Sequence, residues 1–257
     1  VKLDTENNHS ISLNDKETSA FLDALNDFYR QSDFRKFFDQ HSDVYANGIL
    51  SFYNSVVSHI DPSWYSRFYG TQPNKDLHIV IGFASGGNYY RATRTRQGGP
   101  EEIFSIMYYA VDNNGRPLYD KSAVGTITEE LCLSFIDIEN NDVKTTLEKA
   151  CENAHRYTRE KPIAAVTDKS IMEESLAYAS AIYYLIDNGS SKKSIRKAVD
   201  EGIERGFSWT PELIKRIYYY TENRKEFPTF ASFYPEIIEF FKDYTANLGK
   251  TILKVLR

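Results

Sequence analysis

Apolar residues recur along this chain in two rhythms, a helical one at both ends and a strand-like one in the middle. From Asp15 a helix is predicted, with Phe21, Leu25 and Phe28 on one stripe. Ser32-Asp33 breaks it, and Phe34, Phe37 and Phe38 begin a second apolar pattern. Tyr45, Ile49, Phe52, Val56 and Ile60 then repeat at four, three, four and four, the period of a long amphipathic helix packed on a core. Asp61-Pro62 reads as an N-cap with proline at the first helical position, and Gly70 closes a short helix over 63–69. Branched and aromatic residues make 77–84 a strand, leading into a turn at Gly86-Gly87. Arg91, Arg94 and Arg96 read as a solvated basic loop, 103–111 as a second strand, and Asp112-Asn113-Asn114-Gly115 as a turn. Beyond Asp137 the pattern is helical. An exposed helix is expected over 142–156. Another, carrying Ile171 to Ile186, is capped by Asp168 or Ser170 and stopped by Gly189. A charged helix over 191–205 ends at Gly206, and further helices open at Thr210-Pro211 and Pro235.

These elements predict an α+β chain that is mostly helical, with a small β-sheet in its middle. A loose segment, 1–14, precedes a single domain over 15–257. That domain comprises helices in 15–70, a small sheet in 76–120, a central helix over 126–136 and a helical half over 142–257.

Composition narrows the functional classes. At 257 residues the chain can bury a sizeable core, and 41% hydrophobic with 26% charged residues is ordinary for a globular protein. A net charge of -5 without a basic block argues against nucleic acid as a partner. No apolar run approaches the ~20 residues that cross a bilayer. Tyrosine (19) and phenylalanine (16) are plentiful, a content that suits peptide or sugar grooves and buried helix seams alike. Two cysteines, Cys132 and Cys151, make no disulfide framework, and Cys132 falls within an apolar helix as a buried thiol.

The stretch with the most chemical content is Gly125-Thr126-Ile127-Thr128-Glu129-Glu130-Leu131-Cys132-Leu133-Ser134-Phe135. Thr126 with Glu129 three residues on reads as a capping box. Glu129 and Leu133 lie four apart on one face with Glu130 beside them, the spacing on which His-Glu-x-x-His offers two imidazoles to zinc. Taken alone, two glutamates in a first helical turn are a solvated pair favoured by the macrodipole.

The chain from about residue 20 resembles an uncharacterised bacterial family of secreted, gluzincin-like zinc metallopeptidases. The matching stretches are Asp61-Pro62-Ser63-Trp64-Tyr65 through Phe68-Tyr69-Gly70, a strand followed by Gly86-Gly87-Asn88-Tyr89, and Gly115-Arg116-Pro117. They continue with Glu129 to Phe135, Arg205-Gly206-Phe207, Asn223-Arg224, Phe227-Pro228-Thr229-Phe230 and Phe233-Tyr234-Pro235. The resemblance implies a zincin-like fold, export to the envelope or medium after loss of a signal segment, and His-Glu-x-x-His at 129–133. It makes Glu130 the general-base position and Glu174, or Glu173 beside it, the third metal ligand. It also makes the strand before Gly86, Gly87, Asn88 and Tyr89 an edge on which an extended peptide pairs.

This chain departs from that pattern at the metal. Glutamate and leucine stand where two histidines would, and an aliphatic side chain cannot coordinate zinc. Glu129, Glu130 and Glu174 brought together without zinc would repel one another, predicting an opened, solvated pocket or a hard cation such as calcium. The leading expectation is a metallopeptidase-like protein that has lost hydrolysis, holds no metal, and uses its groove for a peptide or protein. The alternative is an active hydrolase with a carboxylate-rich site that recruits His78 or His155. A helical interaction module without any peptidase-related activity is the third reading.

Overall fold

The computed structural model describes residues 15–83, 89–95, 98–108, 110–111, 113, 117–119, 122–136, 141–157 and 171–255. The chain divides into two compact units: Val1–His59 with Asp76–Ala123, and Ile60–Lys75 with Val124–Arg257.

The first unit opens with α1 (Asp15–Gln31), α2 (Phe34–Gln40) and α3 (Ser42–Ser55). Asp33 takes a left-handed conformation (φ 48°) and turns α1 into α2. Aromatic rings link the three helices: Phe28 to Phe34 at 5.9 Å, Phe34 to Phe37 at 6.0 Å, and Phe38 stacked on Tyr45 at 4.4 Å. The helix predicted to run from Tyr45 to Ile60 stops at Val56, whose backbone leaves helical geometry (φ -126°, ψ -65°), and a 3-10 turn, Val57–His59, follows. Phe52 and Val56 are buried, but Ile49 is 61% exposed, so only part of the predicted stripe faces a core. Phe21, Leu25 and Phe28 are likewise exposed on α1.

The same unit holds β1 (Lys75–Ile81, all but its first residue), β2 (Tyr90–Thr95), β3 (Glu101–Met107) and a two-stranded ribbon, β4 (Ala110–Val111) with β5 (Pro117–Leu118). The three-stranded sheet runs β1-β3-β2, which leaves β1 on an edge, and β2 pairs antiparallel with β3. The basic loop predicted around Arg91 and Arg94 is therefore a strand. It escaped the pattern because an edge strand exposed along nearly its whole length carries no apolar alternation. Arg94 lies opposite Glu102 and donates Nε to its carboxylate at 2.5 Å.

The second unit is helical: α4 (Pro62–Tyr69), α5 (Ser122–Phe135, all but its first two residues), α6 (Asn141–Tyr157), α7 (Ile171–Asp187), α8 (Lys192–Glu204), α9 (Thr210–Glu222) and α10 (Tyr234–Val255). Among the described residues no helix is long and apolar enough to cross a membrane. Helix α4 forms where predicted. Asp61 accepts from Ser63 N at 2.9 Å, Pro62 occupies the first turn, and Gly70 ends the helix at φ +70°. One face of α4 enters an aromatic core: Trp64 stacks on Phe68, Tyr65 on Tyr184, and Tyr69 on Phe135. Trp64 Nε1 donates to Asp187 at 2.7 Å, tying α4 to the end of α7. Helix α6, expected to be exposed, buries Leu147, Ala150 and Cys151 and packs against α7 and α10.

Several stretches that carry the family resemblance meet at the end of α4. Tyr220 Oη donates to Phe68 O at 2.6 Å, and Arg224 donates both to that same carbonyl and to Pro228 O. Phe230 N donates to Tyr69 O at 2.9 Å. Gly70 lies so close to this knot that a Cβ there would sit 2.3 Å from Pro228 O. The Phe-Tyr-Gly, Asn-Arg and Phe-Pro-Thr-Phe stretches thus form one structural joint, built from carbonyls that a helix end leaves unpaired.

Gly70→Ala combines backbone strain with a backbone clash and is expected to cost about 2–4 kcal/mol in denaturant unfolding; a change within about 0.5 kcal/mol would contradict this packing. Asp61 accepts hydrogen bonds from Ser63 and Arg67, which hold its carboxyl below the usual range. Its contribution to stability is therefore complete above the ordinary aspartate pKa and is lost as pH falls through the lowered one. Asp61→Ala is expected to melt at lower temperature than the parent near neutrality, with the gap closing in acid; a pH-independent gap would point to another cause.

Candidate functional site

The site is set by where α5 begins. The helix starts at Ser122, so Thr126 lies inside it rather than at its cap, and Glu129 has no capping role. All of Thr128, Glu129, Glu130, Cys132 and Leu133 are buried, which overturns the reading of a solvated glutamate pair. Their burial follows from the helix's apolar composition and its place in the aromatic core.

Two faces of α5 do different work. On one, Thr128 lies beside Tyr65, and Cys132 beside Tyr69, with Ser180 of α7 also against Tyr69. The hydroxyls of Tyr65, Tyr69, Thr128 and Ser180 close no hydrogen bond of ordinary geometry there. Burial pushes the Cys132 thiol far above its usual range, so it is a neutral packing group rather than a nucleophile.

On the other face Glu129 meets Arg205. The guanidinium donates through Nη1 to Oε2 at 2.9 Å and through Nη2 to Oε1 at 2.7 Å, a bidentate pair. The same Nη2 lies 4.0 Å from Glu174 Oε2. The charge is also stacked: Arg205 Cζ sits 4.3 Å from the Tyr178 ring centre and 5.3 Å from that of Phe207. Burial pulls the Arg205 pKa down, but the hydrogen bonds and charge of Glu129 more than offset it and the net shift is upward. Burial raises the Tyr178 hydroxyl to about 12, and that hydroxyl donates to Ala198 O at 2.8 Å.

Local sequence explains how the arginine reaches this point. It occupies the C-cap of α8, and Gly206 at φ +99° then reverses the chain so that Phe207 folds in beside it. Helix α8 approaches α7 closely because residue 202 is glycine; a Cβ there would meet the Tyr178 ring at 2.6 Å.

The structure therefore brings Glu129 and Glu174 together at Arg205, while Glu130 and Leu133 are buried elsewhere along α5. The two neighbouring glutamates of α7 face different partners. Glu173 points toward Lys75 and Lys144, at 3.9 and 3.8 Å, while Glu174 faces the arginine. The carboxylates neither open to solvent nor repel one another apart, because a cation from the chain itself lies between them. Zinc does not fit this donor set. Both oxygens of Glu129 accept from Arg205, Leu133 is an apolar side chain in a buried position, and neither expected histidine exists. Among the described residues no group of three or more His, Cys, Asp or Glu could hold a metal ion, calcium included.

The other predicted positions lie apart. His78 sits on β1 with Nε2 3.3 Å from Glu102 and its ring stacked 4.7 Å from Phe104, a packed strand histidine. The side chain of His155, and Gly86, Gly87 and Asn88, lie outside the described residues. Tyr89 is described, with its hydroxyl 3.4 Å from that of Ser105. Arg205 is the residue that sequence reasoning missed as a site residue. Its signal was indirect: glutamates embedded in apolar helices need a cation, and an arginine at a helix end before Gly-Phe can supply one.

The chain belongs to the family described as a domain of unknown function (DUF4932), which matches residues 2–240. No curated protein and no solved structure matches the chain.

Arg205→Ala leaves two buried carboxylates without their cation. It is expected to cost about 2–3 kcal/mol, below the ~3–5 of a fully buried pair because the arginine keeps part of its surface in water. Arg205→Lys retains the charge but not the fork and should lose roughly half as much. A double-mutant cycle with Glu129→Gln checks this; a coupling energy near zero would show that the pair is incidental.

Proposed function

We propose that this protein is a binding protein on a metallopeptidase-like scaffold, with an arginine where the relatives implied by the sequence resemblance would hold zinc. The single observation that carries the reading is the guanidinium of Arg205, hydrogen-bonded to both oxygens of Glu129 and 4.0 Å from Glu174. Those are the first and third ligand positions of a gluzincin, and here they converge on a fixed organic cation.

The chemistry of that substitution is one-sided. A metal acts in amide hydrolysis by lowering the pKa of its bound water from 15.7 to about 7 and by polarising the carbonyl. A guanidinium has no open coordination position and cannot generate hydroxide. It can hold carboxylates in place, orient a helix end and neutralise buried charge. Glu130, the general-base position, is buried, and without a metal it has no activated water to deprotonate. What the scaffold retains is surface for a peptide or protein, and β1, at the edge of the three-stranded sheet among the described residues, is the element suited to receive an extended segment. The export implied by the resemblance belongs to this same reading.

Metal analysis and a triple variant test it together. The purified chain is expected to carry no stoichiometric transition metal and to cleave no peptide. Glu129→His with Leu133→His and Arg205→Ala is expected to gain one tightly bound zinc, seen by calorimetry, with helical content unchanged by circular dichroism. Chelator-sensitive peptide hydrolysis by the parent chain would overturn the proposal in favour of an active enzyme. A triple variant that folds but stays metal-free would end the metallopeptidase analogy and leave the helical interaction module.

A further inference from the structure

Helix α1 carries an apolar stripe that faces solvent. Phe21 and Phe28 are each 56% exposed, and Leu25 between them is 37% exposed. Their spacing of four and three is that of a two-helix seam. At 100° per residue, Lys16, Asp23, Asp27 and Arg30 project from the other side of the helix, and Glu17 borders the stripe. Exposed Tyr29, Phe37 and Phe38 extend the surface onto α2, joined to it by the ring contacts Phe28–Phe34 and Phe34–Phe37. Taking about 200 Å² for a free aromatic side chain, the six exposed residues present roughly 600 Å². That is the upper end of the largest patch on an ordinary monomer, and most of the ~800 Å² that one partner buries in a standard interface.

We propose that this face is covered by the same face of a second copy, with the two α1 helices antiparallel across a twofold axis at Leu25. The stripe is close to a palindrome about that residue, Phe-Leu-Phe, so the antiparallel copy returns large side chains to the positions flanking its leucine. Polarity selects the orientation. A parallel pair would set the two Glu17 carboxylates side by side, whereas antiparallel pairing about Leu25 places them about 24 Å apart at 1.5 Å per residue. The charges behind the stripe also distinguish a second copy from a membrane. Helix α1 holds four acidic and two basic residues, a balance that an anionic bilayer surface repels and a self-pairing seam tolerates.

Sedimentation velocity of the full chain from ~1 to ~100 µM, a span that brackets micromolar affinity, is expected to show a monomer–dimer equilibrium. Leu25→Asp should weaken the dimer at least ~100-fold, while Asp23→Lys on the far side leaves it unchanged; circular dichroism confirms that both variants keep their helices. Leu25→Cys should form an intermolecular disulfide on mild oxidation because the two copies of residue 25 meet at the axis, and Ile49→Cys on α3 should not. Three results would overturn the proposal: a chain that stays monomeric throughout, a dimer that Leu25→Asp leaves intact and Leu25→Cys fails to link, or a monomer that instead co-floats with phosphatidylcholine or phosphatidylserine vesicles.

Discussion

The helical unit depends on how buried negative charge is neutralised between α5 and α7. Glu129 and Glu174 lie on helices that are otherwise nearly apolar, and removing carboxylates from water costs several kcal/mol each unless a cation accompanies them. Arg205 supplies that cation from the end of α8, and the arrangement dictates much around it. The guanidinium needs a flat apolar seat, which Tyr178 and Phe207 form. The approach of α8 needs a glycine at 202, and the reversal after the arginine is made by a second glycine at 206. An ion pair of this kind has a registry role: a lysine could balance the charge but not span both oxygens of Glu129 while lying against two rings.

A second joint of the same unit lies at the end of α4. Asp61 caps α4, Gly70 ends it, and Arg224 with Tyr220 collects the carbonyl that the helix end exposes. Arg205-Gly206-Phe207 builds the cationic centre. Residues spread over more than a hundred positions of the chain meet in two joints, both within one compact unit. Each joint holds helix ends and buried charge together by contacts that involve no metal.

The first unit is built differently. Its three N-terminal helices are held by ring-to-ring contacts and leave large apolar side chains in solvent, while its sheet carries a buried glutamate, Glu102, between Arg94 and His78. Apolar periodicity in α1 and α3 correctly marks helices but says nothing of what lies opposite them. The stripe of Phe21, Leu25 and Phe28 has the same signature as a core-facing one. A period records which side chains share a face, and burial depends on a second surface that the period does not contain.

What the sequence by itself determined is local. Caps, breaks and turns at Asp61-Pro62, Gly70, Ser32-Asp33 and Gly189 can be read directly because each rests on one or two residues and their backbone preferences. The helical C-terminal half and the small central sheet follow from the same kind of evidence. The exposed strand β2 could not be seen, since its edge position removes the alternation that reveals strands. Nor could the start of α5 be placed, because Thr126 and Glu129 mimic a cap that a longer helix makes unnecessary. The chemical state of the centre was decided only by tertiary structure. Glu129 and Arg205 lie 76 residues apart, and whether Glu129 and Glu174 repel, coordinate or are neutralised depends on which side chain the fold delivers between them.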